Sequence, residues 1–247
     1  MNPAQAGVDF DLEKIKQQEA RRTAAMKVIS VAFDKVEQDY RVENSANGRV
    51  MFYHNLVHTK NVVSSARKIA ERAIENGTIE DNAGVLAEIA AAFHDVEQRR
   101  GSGVNEEESV RLAQNEMTKE NVFSSRDAEK VKNMILATIV SFAGGNMKQS
   151  ATDDYLTKIL ADADLSSLGQ PPEVYWASAQ SLLKEIKNTD APTLKDQLDW
   201  ARGQIIFLSN HEFYTDEAKE LFPHKEENIE FAKEQVRKLE AEFAKMN

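Results

Sequence analysis

The sequence predicts an all-α fold, a single helical domain spanning residues 1–247. Three observations carry that expectation. Proline and glycine are scarce, at 5 and 10 residues, and Ala, Glu, Lys, Leu and Gln, which cost least in a helix, stand in their place. Apolar residues recur at three- and four-residue intervals along most of the chain, as buried helix faces require. No stretch alternates apolar and polar residues as a half-buried strand would, and neither an internal repeat nor a linker-like segment divides the chain. With 41% hydrophobic residues, a sizeable core can be buried.

Residues 1–8 are small and polar and read as a loose end. From about Leu12 to Val42, the apolar positions Ile15, Ala25, Val28, Ile29, Val31, Ala32 and Val36 predict one long helix or two shorter ones. A loop rich in Asn, Ser and Gly follows at Glu43–Arg49. The next helix starts at His54 or Thr59 and runs to Glu75, with Val62, Val63, Ala66, Ile69, Ala70 and Ala73 on its apolar face. Asn76-Gly77 stops it. Ala83–Phe93 is almost wholly apolar and predicts a buried central helix ending at His94-Asp95. Glu97–Glu108 is charged and contains glycine, which suits an exposed loop. Three helices follow at Ser109–Met117, Asp127–Phe142 and Asp153–Leu168, the last two separated by Gly144-Gly145 and the third ended by Pro171-Pro172. Val174–Lys187, Leu194–Asn210 and Glu217–Met246 complete the set.

Charge narrows the function. Thirty-one basic against 41 acidic residues give a net −10, which opposes binding to a nucleic-acid polymer or an acidic membrane. A small phosphorylated substrate stays open, because a metal ion can supply positive charge locally. Without cysteine, disulfides and thiolate metal sites are excluded. Met1–Phe10 lacks the basic and apolar regions of a signal peptide, and no apolar run nears the ~20 residues of a membrane span. The expectation is a soluble, cytoplasmic protein that leaves a homo-oligomer open.

The chain has five histidines: His54, His58, His94, His211 and His224. His54 and His58 stand four apart in YHNLVH and share a face if that segment is helical. His94 and Asp95 end the most apolar helix. Asp164, in LADADLSSLG, shares a four-residue ladder with Leu156, Leu160 and Leu168 and should point into the core. A carboxylate there needs a partner or a cation. Taken singly, Asp164 admits a buried Arg or Lys, and His94 a hydrogen-bonded core histidine. Together, two imidazoles and two carboxylates form the mixed N/O set of a divalent ion. His211 and His224 lie in polar segments and read as surface residues or loop contacts.

The order His58, His94-Asp95, Asp164 resembles the H…HD…D signature of the HD superfamily of helical, metal-dependent phosphohydrolases, from Tyr53 to about Glu230. YHNLVHTKNV, AAFHDVE and ADLSSLGQP resemble the metal motifs of class I cyclic-nucleotide phosphodiesterases. Asn105-Glu106 and DADLSSLG resemble a bacterial group of predicted HD phosphohydrolases. The resemblance implies metal ligands His58, His94, Asp95 and Asp164. Asp162 is the rival for the last place, and Asp164 is preferred because it precedes the Leu-Ser pair. It implies His54 as general acid, Asp95 at the catalytic centre, Glu106 as a base or water ligand against a solvated loop glutamate, and substrate contacts from Gln204, Phe207 and Asn105. Phe207 reads first as a core residue, and a Gln and a Phe three apart on a helix are common.

Where the phosphodiesterases carry another histidine after HD, this chain has Glu97 and Gln98. No histidine lies between Asp95 and Asp164, which argues for one tightly held ion (Mn, Mg, Co, Ni, Zn or Fe). The expected activity is hydrolysis of a nucleotide-like or other small phosphate ester by metal-activated water. The alternatives are a mixed-valent di-iron oxygenase of the same fold and a catalytically silent, metal-stabilised scaffold or nucleotide sensor.

Overall fold

The architecture is organised around one alanine-rich helix. In the computed structural model, which describes residues 3–40, 50–143, 146–150 and 152–246, this is α3 (Asp81–Phe93). Ala87, Ile89, Ala90, Ala91 and Ala92 are fully excluded from solvent. Around it pack α1 (Pro3–Asp39), α2 (Leu56–Glu75), α4 (Val104–Lys119), α5 (Ser125–Ala137) and α6 (Tyr155–Asp164). Small side chains let these helices approach closely: a Cβ on Gly84 would stand 3.3 Å from Ile74 Cδ1 and 3.5 Å from Ala70 Cβ. Glu88 is the buried charge in α3, and Arg67 (2.5 Å) and Arg22 (3.5 Å) neutralise it from α2 and α1.

A second, smaller core of Leu168, Tyr175, Ala179, Leu208 and Ile229 lies among α7 (Pro172–Lys187), α8 (Leu194–Asn210) and α10 (Lys225–Met246). A 3₁₀ turn at Ser166–Gly169 joins α6 to this second layer. Among the described residues there are ten α-helices and one short hairpin, so the fold is all-α as expected. No helix among them is long and apolar enough to cross a membrane.

Several boundaries depart from the sequence reading. The expected loose end is helical from Pro3, and of the two readings of the first stretch the single long helix, α1, is the one formed. The expected loop at Glu43–Arg49 lies outside the described residues, as does the Gly144-Gly145 pair. The helix expected to reach Phe142 stops at Ala137. Val140–Ala143 (β1) instead pairs antiparallel with Asn146–Gln149 (β2), Val140 opposite Gln149. The β-branched run Thr138-Ile139-Val140 favours extended backbone over helix. Part of the expected exposed loop at Glu97–Glu108 is the start of α4, and Glu97 and Asn105 are buried. The last expected helix is two, α9 (Asp216–Leu221) and α10, broken around Pro223, whose ring and missing N–H do not suit a helix interior.

Gly169 fixes how the two layers meet. A Cβ at this position would lie 2.1 Å from the carbonyl oxygen and 2.6 Å from the Cβ of Phe222, and the Gly169 carbonyl accepts from the His224 N–H at 3.2 Å. The constraint is space, since the opposing atoms include backbone. Gly169→Ala should therefore cost about 1–3 kcal/mol through overpacking and lower Tm by roughly 3–10 °C. Thermal unfolding followed by circular dichroism checks this; an unchanged Tm would mean that the junction yields freely.

Candidate metal centre

Three helix ends deliver the candidate ligands. Asn55 caps α2, its side chain accepting from the Val57 N–H (2.9 Å), and His58 sits in the first turn behind that cap. His94 is the C-terminal cap of α3 and Asp95 follows it. Asp164 is the last residue of α6. The C-terminal ends of α3 and α6 carry the negative poles of their helix dipoles, which favour a cation.

The four side chains converge so that one ligand atom from each lies within 4.8 Å of all the others. Asp95 Oδ2 stands 2.9 Å from His94 Nε2 and 3.2 Å from His58 Nε2. Asp164 Oδ1 stands 3.4 Å from His94 Nε2 and 3.5 Å from His58 Nε2. The two Nε2 atoms are 3.3 Å apart. Ligands held at about 2.0–2.2 Å around a tetrahedral ion are themselves about 3.3–3.6 Å apart, so the donor set fits a single ion.

The surrounding hydrogen bonds point the same way. His94 Nδ1 lies 2.7 Å from the Ala91 carbonyl, which can only accept, so Nδ1 carries a proton and Nε2 is the nitrogen turned to the cluster, free to ligate once a cation takes the place of its proton. Gln98 donates to the outer oxygen of Asp95 (2.5 Å) and Gln149 to that of Asp164 (2.8 Å). Each carboxylate therefore turns its other oxygen towards the imidazoles.

Burial pushes the Asp95 carboxyl up, but His94, His54 and His58 outweigh it and hold the group well below the usual range. Burial likewise opposes ionisation of Asp164, and hydrogen bonds from His58 and His94 bring it down to about 2. Burial disfavours charge on His94, yet Asp95 and Asp164 raise it well above an ordinary imidazole. The cluster as a whole favours positive charge, which protonated imidazoles or a divalent cation would supply.

His54 does not share a helical face with His58, as the spacing alone suggested, because α2 begins only at Leu56. It lies in the turn before α2, and Glu185 from α7 holds it there. Glu185 Oε1 is 2.5 Å from His54 Nδ1, and Oε2 accepts the backbone N–H groups of Tyr53 (2.8 Å) and His54 (3.0 Å). The opposite ring nitrogen, Nε2, is 3.9 Å from Asp95 Oδ2. Burial disfavours the charged form of His54, but Asp95 and then Glu185 raise its pKa.

Glu185, Gln149 and the role of Gln98 were not found from sequence. Glu185 sits between two lysines in a charged stretch, and only its i+3 and i+7 spacing from Leu182 and Ser178 hints at an inward face.

The remaining expected site residues divide. Asp162 stands apart from the cluster, its carboxylate accepting from the backbone N–H groups of Tyr214 and Thr215 (2.8 Å each) and from the Thr215 hydroxyl (2.6 Å). Glu106 accepts from the Gly103 N–H (2.5 Å) and so caps α4. Asn105 is buried, and its side-chain oxygen accepts from the N–H groups of Arg100 (2.8 Å) and Gly101 (3.1 Å). Both therefore shape the loop after Asp95. His211 is partly buried, a loop residue packed between Phe207 and Phe213, and burial, helped by Lys225, lowers its pKa to about 4. His224 is half-buried and pairs with Glu227 at 3.0 Å.

Two clefts meet at Tyr53, Asp164, Ser167 and Ser178. One, of about 790 Å³, reaches His58 and is rich in serine. The other, of about 530 Å³, reaches His54 and is walled by Leu168, Trp200, Ile206 and Phe207. Gln204 and Phe207 both line this second cleft, and Phe207 also packs on the second core. The Tyr175 hydroxyl donates to Gln204 Oε1 (2.9 Å), leaving the amide nitrogen as donor.

Comparison with models of known protein families and with curated proteins gives no match. The reading of this centre therefore rests on its own residues.

The protein should bind close to one divalent transition-metal or magnesium ion per chain, and Asp95→Ala or His94→Ala should abolish binding and lower thermal stability, since the ion binds the folded state. Elemental analysis after metal loading and desalting reads the stoichiometry. Equal metal content in wild type and both variants would disprove the centre.

Proposed function

We propose that the chain is a metal-dependent phosphohydrolase or phosphodiesterase of the HD superfamily, acting on a nucleotide-like or other small phosphate ester. The observation that carries this reading is the pairing of a four-donor N/O cluster with His54, a Glu185-held imidazole whose Nε2 lies 3.9 Å from Asp95. A purely structural ion needs the cluster but has no use for a second, separately anchored histidine beside it.

His58, His94, Asp95 and Asp164 would hold the ion. When bound, a divalent ion supplies Lewis acidity that lowers the pKa of water and offsets charge on a phosphoryl oxygen. The protein's part is positional. Gln98 and Gln149 fix the carboxylates, and Glu185 fixes His54 through Nδ1, which leaves Nε2 to give a proton to the departing oxygen. Such general-acid assistance is worth typically about 10²–10⁴-fold.

The apolar cleft, with the Gln204 amide nitrogen and the Phe207 ring on its wall, has the hydrogen-bonding and stacking groups that suit a planar heterocycle. Two imidazoles in the cluster supply the nitrogen ligands for one ion, which favours hydrolysis over di-iron oxygen chemistry.

Release of phosphate or aryl alcohol from a panel of nucleotides and aryl phosphates should depend on added Mn²⁺, Co²⁺, Ni²⁺ or Mg²⁺. Iron-dependent oxygen uptake should be absent; reproducible uptake with an organic substrate would replace hydrolysis by the oxygenase reading.

His54→Asn should keep metal while losing roughly 10²–10⁴ in kcat on an alkyl ester, with a much smaller loss on a nitrophenyl ester, whose leaving group departs unprotonated. Glu185→Gln should lose activity in the same leaving-group-dependent manner, and the two losses should not add, because Glu185 acts through His54. Loss of metal in His54→Asn would make it a ligand. Equal losses on both esters would make it a positioning group only.

A further inference from the structure

The larger cleft differs in chemistry from the apolar one and has no part in the mechanism so far. On α2 a polar stripe leads away from the cluster: His58, Asn61, Ser65 and Lys68, spaced three, four and three apart, share one face and line this cleft. Facing them are Ser166 and Ser167 of the 3₁₀ turn and Ser178 and Ser181 of α7. Ser166 Oγ donates to Ser65 Oγ at 2.8 Å, tying the two walls together. Phe52, Tyr53, Val57 and Val174 also line the cleft, and between them the serine hydroxyls and an asparagine amide, which both donate and accept, supply the hydrogen bonds that a hydroxylated carbon skeleton uses along its edge.

Lys68 is exposed and forms no ion pair among the described residues. Ten residues of α2 place it about 15 Å along the axis from His58, and a helical side chain leans back towards the N-terminus, so its ammonium lies about 10–15 Å from the cluster. Glu173 also lines the cleft, and the chain carries a net −10. Against that background a lone ammonium is the local attraction for an anion.

The geometry points to a subsite for the phosphorylated sugar or polyol arm of the substrate. The ester to be cleaved sits at the His/Asp cluster, the hydroxyls lie along the serine walls, and a second phosphoryl group pairs with Lys68. This inference rests on the phosphohydrolase reading and adds to it the class of substrate, a bisphosphorylated or similarly two-ended hydroxylated ester.

The test uses Mn²⁺-loaded full-length protein with two probes, fructose 1,6-bisphosphate and p-nitrophenyl phosphate, which lacks a distal anion. Lys68→Ala should reduce the ratio of kcat/KM for the bisphosphate over that for the aryl ester about tenfold, mainly through KM, as loss of one charged hydrogen bond implies, and Lys68→Arg should restore most of it. An unchanged ratio overturns the subsite while leaving phosphohydrolase activity standing.

Calorimetric titration with fructose 1,6-bisphosphate decides the matter independently of turnover. Binding should weaken about tenfold in Lys68→Ala. No binding to the wild type, or equal binding to the variant, overturns the inference even if neither ester is hydrolysed, an outcome that would separately remove the phosphohydrolase reading.

Discussion

Two carboxylates forced against two imidazoles are the interaction on which the structure turns. Asp95 and Asp164 each approach both His58 and His94 to within 3.5 Å or less, in a region where burial penalises their charge. Such a grouping is costly unless positive charge is placed within it. Everything around it tightens that requirement. The Ala91 carbonyl takes the His94 Nδ1 proton, and Gln98 and Gln149 engage the outer carboxylate oxygens. A divalent cation held among these four groups would make the local electrostatics consistent.

The framework needed to hold these groups explains the composition of α3. Its alanines let α1, α2, α5 and α6 close around it, so the helix ends bearing His94, Asp95 and Asp164 are fixed by packing rather than by flexible loops. Precision of this kind comes from a dense interior with few adjustable side chains. The one buried charge within the helix, Glu88, is matched by Arg67 and Arg22 from neighbouring helices, so α3 can be almost entirely apolar without leaving its carboxylate unpaired.

Much of this was legible in the sequence. The apolar periodicity located the helices, and His58, His94, Asp95 and Asp164 stood out as polar residues at the ends of apolar runs. What was hidden depends on contacts distant in sequence or on backbone detail. Glu185 lies among charged neighbours, and its role becomes visible only when α7 meets the turn at His54, 131 residues away. Asp162 and Asp164 have similar surroundings in sequence; only the Thr215 cap claims one and frees the other. Asn105 and Glu106 carried the right chemistry for a site but are used by the loop and by the α4 cap. The hairpin after α5 was missed because its β-branched residues follow a strongly helical stretch without a break in periodicity.

The Glu185–His54 contact ties the candidate site to both layers. The four candidate metal donors lie within residues 58–164, at helix ends of the first core, whereas the residue that holds His54 belongs to the second layer. The candidate ligands and the imidazole beside them therefore depend on different parts of the molecule, so loosening α7 would release His54 while leaving the four-donor cluster in place. On the proposed reading, a metal held by the cluster would staple the first core, and the docking of α7 would decide only whether His54 is aimed at it.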